Sequence, residues 1–106
     1  MSEIGFSPLQ QLAIRALRDK VSEHIIPSLE RLEDLECSIT DGTRMSGGRT
    51  VYYIVINGVC LIEARVSVHG ERNSRHLVTV YVITYSMPGS TTLHVVHASF
   101  EDTYTL

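Results

Sequence analysis

A chain of 106 residues has room for one hydrophobic core, and 43% hydrophobic with 20% charged residues is a globular composition rather than a disordered one. The formal charge of −3 argues against general nucleic-acid binding, which needs a basic footprint. No apolar run nears the ~20 residues that cross a bilayer, which argues against membrane insertion.

The first predicted element is a helix. Ser7-Pro8-Leu9-Gln10 is a start signal: Ser7 as N-cap, Pro8 at the first helical position, and Gln10 placed to complete a capping box. Leu9, Leu12, Ala13, Leu17, Val21, Ile25, Leu29 and Leu32 then recur at three- and four-residue steps and make one apolar stripe. The helical part spans about 7–34, with a kink expected at Pro27, which removes a backbone bond and crowds the preceding turn.

From residue 35 to about 104 the period is two, and the spans alternate with turn residues. Strands are expected around 35–40, 50–56, 59–68, 76–85 and 92–100, with a Gly-rich loop over 41–49. Asn57-Gly58 reads as a two-residue type I′ hairpin turn, which pairs Ile56 with Val59, Ile54 with Leu61 and Tyr52 with Glu63. That register seats the helix on Val51, Tyr53, Val55, Cys60, Ile62, Ala64 and Val66. It leaves Ile54, Ile56, Val59 and Leu61 as an apolar patch on the second face. The expected fold is therefore α+β: a single domain over 1–106, with one long amphipathic helix packed on an antiparallel β-meander of about five strands. The layout resembles sheets wrapped on a helix of the cystatin type or the nuclear-transport-factor type, a likeness of architecture that implies no function.

One helix covers one face of a sheet. The apolar patch on the other face points to a homodimer interface first, or else to a partner protein, a ligand pocket or a sheet that curls upon itself and closes that face within the monomer. Charge is unevenly spread. Residues 1–36 carry four bases and seven acids, whereas residues 42–80 carry five arginines and two acids. Eight of the nine bases are arginine, the residue suited to bidentate contacts with carboxylate or phosphate. Two strands separate the loops over 41–49 and 70–75, so Arg44, Arg49, Arg72 and Arg75 should gather at one end of the meander.

No nucleophile–base or paired-carboxylate arrangement stands out, and no catalytic residue is assigned. Five histidines show no spacing that brings three or four to one point, so neither a metal nor a cofactor is expected. Cys37 and Cys60 do not make a disulfide framework, and the N-terminus lacks a signal-peptide pattern. The chain reads as cytoplasmic, in its own cell or in a host cell.

Two functions fit. The first is a non-catalytic protein-binding module, a homodimer acting as an inhibitor, immunity-type or adaptor protein, of the kind carried by phages and mobile elements. The second is a binder of a small anionic or nucleotide-like ligand, with Tyr52, Tyr81 or Tyr85 stacking and an arginine such as Arg65 holding the charge. A flat apolar patch favours the first, and a concave pocket ending in arginine favours the second.

Overall fold

The helix begins where its cap predicts. In the computed structural model, which describes residues 5–25, 36–40, 42–57, 61–86 and 94–106, α1 spans Pro8–Lys20. The Ser7 hydroxyl accepts from the Gln10 amide at 3.1 Å, and Gln10 Oε1 accepts from the Ser7 amide at 2.9 Å, closing the capping box. A π-helical turn, Val21–Ile25, continues the helix. Pro27 and its expected kink lie outside the described residues. No described helix is long and apolar enough to cross a membrane.

Six antiparallel strands follow: β1 (Glu36–Ile39), β2 (Thr43–Met45), β3 (Arg49–Asn57), β4 (Leu61–His69), β5 (His76–Ser86) and β6 (His94–Tyr104). They form one sheet in the order β1-β3-β4-β5-β6, and β2 pairs with β3 alongside β1. The α+β fold expected from the sequence is present. It has one strand more than anticipated, because Thr43–Met45 folds back onto β3 out of the Gly-rich loop. β6 runs on to Tyr104, so the C-terminal segment extends the last strand.

The helix packs on the even-numbered face of β3 and β4. Tyr52, Ile54 and Ile56 meet Val66, Ala64 and Ile62 across the strands, and all six are buried with Val68, Val78, Val80 and Val82. On the helix, Leu12, Ala13, Ile14, Ala16, Leu17 and Val21 close this core. The buried arc is wider than a two-position stripe because a single helix lies over several twisted strands.

This register corrects the sequence reading. Asn57 belongs to β3 and pairs with Leu61, so the β3–β4 pairing is three residues away from the register that an Asn57-Gly58 turn imposes. An odd slip exchanges faces. Ile54 and Ile56 therefore lie under the helix at 0% exposure, and are not available as a patch on the second face. Val59 lies outside the described residues. Leu61 pairs with Asn57 and Ser86, and its side chain lies outside the described residues. A tight turn joins β4 and β5. Arg72 and Arg75 exchange two backbone hydrogen bonds, of 2.7 and 3.0 Å, around Asn73 and Ser74. Both central residues have positive φ, 54° and 62°, which is the type I′ pattern.

A polar seam fastens α1 to β6, with the two running antiparallel. His24 stacks on Phe100 with ring centroids 4.4 Å apart. The Lys20 ammonium donates to Asp102 at 2.8 Å and to Glu23 at 3.3 Å. Tyr104 donates to Asp19 at 3.1 Å, and Arg15 lies over the Tyr104 ring while donating to the Thr105 carbonyl. The Asp102 hydrogen bond holds the buried Lys20 well above its ordinary pKa, and Lys20 in turn holds the Asp102 carboxyl below its own. Burial, then the nearby Asp19 carboxylate, pushes the Tyr104 phenol up to about 12.

Candidate functional site

The odd-numbered face of the sheet points away from the helix, and its side chains fall into cross-strand rows. One row carries small side chains: Thr43, Val51, Ser67 and Thr79 on β2 to β5. The rows on either side are large. Met45 and Arg49 stand at the turn end. Tyr53, Arg65 and Tyr81 stand at the other. A low row between two high ones makes a groove, of about 450 Å³, lined by Thr43, Met45, Arg49, Val51, Arg65, Ser67, Thr79 and Tyr81. That volume lies in the range of small-ligand sites.

The far wall is braced. The Arg65 guanidinium lies 5.6 Å over the Tyr81 ring, a cation–π contact. The Tyr81 hydroxyl shares a 2.6 Å hydrogen bond with His97 Nδ1. His97 reaches it from a break in the β5–β6 register near Val82 and Thr84, and holds a left-handed backbone, φ 48°. Beside Arg65, Tyr53 donates to Glu63 at 2.5 Å. This hydrogen bond raises the Tyr53 pKa, because the neutral phenol is the form that donates.

Of the residues singled out in the sequence, Arg49, Arg65 and Tyr81 come together in the groove. Tyr52 does not. It is buried on the helix face, its ring beside Gly42, and burial raises its pKa. The two arginine-bearing turns do share one end of the sheet, since Arg49 pairs with His69 across β3 and β4. The cluster is nonetheless divided. Arg44 alternates with Thr43 and Met45 and so faces the helix side. Arg75 turns toward β6, donating to the Thr103 hydroxyl at 3.3 Å, and Arg72 is exposed on the turn. Glu63 lies opposite Val55 rather than Tyr52.

The groove residues missed by sequence reasoning are Met45, Thr43, Val51, Ser67 and Thr79. Part of the signal is present in β4, where Glu63, Arg65, Ser67 and His69 alternate with apolar residues and mark the odd face as the outer one. The groove lining contains no carboxylate and no thiol. Among the described residues neither Arg49 nor Arg65 forms an ion pair. No group of three or more metal-ligating side chains occurs among them either. His69 and His76 do meet, but through the His76 ring and the His69 carbonyl oxygen at 2.8 Å.

No family model matches the chain, and neither a curated protein nor a solved structure matches it.

Proposed function

We propose that the chain is a non-catalytic binding protein that takes a small anionic ligand in the outer-face groove. The observation that carries this reading is the pair of guanidinium groups, Arg49 and Arg65, in one groove whose lining holds no carboxylate, with neither in an ion pair among the described residues. A concave floor of hydroxyls and one valine, closed at both ends by a cation, suits an anion with an uncharged body. The hydroxyls of Ser67, Thr43 and Thr79 have no base within the lining to activate them, which favours binding over catalysis. The test is an NMR titration with pyrophosphate and citrate. Amide shifts should map to the β2–β5 rows and vanish in an Arg49→Gln/Arg65→Gln double variant. Shifts confined to Arg72 and Arg75 would remove the groove from consideration.

A second reading has its own observation. Met45 is 41% exposed and Tyr53 37%, both on the outer face and both beside arginine. Methionine, tyrosine and arginine are the side chains enriched in protein interfaces. A homodimer or a protein partner seated on this face accounts for them. Light scattering over a dilution series, followed by Met45→Ser and Tyr53→Ser, tests it: a dimer that these changes dissociate supports this reading.

A further inference from the structure

Resting on the anion-groove reading, we infer that the ligand is a nucleoside phosphate, with its base on the Arg65–Tyr81 wall and its phosphate at Arg49. The two ends of the groove differ chemically. At one end the Arg65 guanidinium carbon lies over the Tyr81 ring, 5.6 Å from its centroid, and the ring is tethered through its hydroxyl to His97. A planar base extends such a stack, since bases pack on arginine planes as well as on aromatic rings. The same end carries the Glu63 carboxylate, held by Tyr53, and a carboxylate there repels a phosphate. At the other end Arg49 stands opposite Met45 with no carboxylate in the lining, so a phosphate is more favourable there than beside Glu63.

Between these ends the floor is Thr43, Val51, Ser67 and Thr79. Three uncharged hydroxyls and one apolar side chain match a sugar, which offers hydroxyl donors and acceptors and carries no charge. Arg49 and Arg65 stand two rows apart, four residues along the strands, or roughly 13 Å at the rise of a β-strand. A base, sugar and phosphate in series are of the same order of length. An inorganic anion would leave the Tyr81 wall unused. The order base, sugar, phosphate therefore runs from β5 toward the β2–β3 turn.

Calorimetric titration of the full chain with AMP, ribose 5-phosphate, adenosine and inorganic phosphate tests this. AMP is expected to bind about tenfold more tightly than ribose 5-phosphate, the worth of one stacked base. Tyr81→Leu should erase that margin and leave ribose 5-phosphate binding unchanged. Tyr81→Phe, which keeps the ring, should preserve most of the margin and shows that the leucine variant fails through the ring and not through folding. Arg49→Gln should weaken AMP and ribose 5-phosphate by the same factor. Equal affinity for AMP and ribose 5-phosphate in the wild-type chain overturns the base-stacking inference but leaves the anion groove standing. Failure of every phosphate to bind overturns both.

Discussion

Replacing Ile54 and Val55 by alanine, one at a time, separates the observed β3–β4 register from the one that an Asn57-Gly58 turn would set. The two residues are adjacent in the same strand, and both replacements remove a β-branched side chain, so the loss of strand preference nearly cancels. What remains is burial. Ile54 has 0% exposure among Ala64, the helix and the strand-centre valines, so Ile54→Ala leaves a cavity and should cost about 2–5 kcal/mol. Val55 is half-buried on the outer face opposite Glu63, and loses two methyl groups that are only partly removed from water. At ~0.8 kcal/mol per fully buried carbon, Val55→Ala should cost below about 1 kcal/mol. Urea unfolding followed by circular dichroism reads the difference. The Ile54→Ala midpoint should fall by more than ~1 M with an unchanged m-value, and the Val55→Ala midpoint by a fraction of that. The opposite order, with Val55→Ala the costlier change, would refute the register and with it the assignment of faces.

The helix–β6 seam predicts a pH dependence. Lys20 keeps Asp102 ionised below its ordinary pKa, so this contribution is complete above 3.8 and is lost as pH falls through the depressed native value. The wild-type chain should exceed Asp102→Asn in urea midpoint at pH 7, and the gap should close in strong acid. Tyr104 has its native pKa raised to about 12, so its contribution holds below 10.0 and is lost as pH rises toward 12. NMR titration of the tyrosine rings should show one phenol near that value, and Asp19→Asn should move it down. At Gly42 an added Cβ would overlap Thr50 Cγ2 and lie 2.8 Å from Tyr52 Cε1. Gly42→Ala should cost about 1–3 kcal/mol by overpacking, and Thr50→Ser should recover part of it in the double variant.

Elements set by local chemistry are legible in the sequence, and those set by competition between faces are not. The Ser7–Gln10 box needs only residues three apart, and it forms. The alternation over β4 and β5 marks both strands to within a residue or two. In β3, however, Val51, Tyr53 and Val55 rival Tyr52, Ile54 and Ile56, so hydrophobicity alone does not choose a face. The Asn57-Gly58 turn preference then points to the wrong one. Such a preference is small beside the burial of two isoleucines and a tyrosine against Ile62, Ala64 and Val66, and burial prevails. The β4–β5 register break between Glu63 and Ala64 has no sequence signal, yet it turns Tyr85 toward the core. The same asymmetry divides the site. Arg49, Arg65 and Tyr81 line the groove, whereas Arg44, Arg72 and Arg75, singled out for the same chemistry, do not line it. Nor does Tyr52, whose role depends on the face it occupies.

The net charge of −3 is at odds with an anion site only if charge is averaged over the molecule. The two acids of the described helical residues, Asp19 and Glu23, lie on the other side of the sheet, and both have partners. Glu23 contacts Lys20, and Asp19 accepts from Tyr104. At physiological salt the Debye length is about 8 Å, so helix carboxylates on the far side of the sheet act weakly on the groove. The groove itself holds two arginines and no acid. Glu63 is the nearest carboxylate on the Tyr53 side, and Tyr53 engages one of its oxygens. An anion approaching the outer face therefore meets the local charge of β2–β5 and not the charge of the chain. Raising salt should weaken its binding through Arg49 and Arg65 alone, while the Lys20–Asp102 pair, with its buried ammonium, should change less.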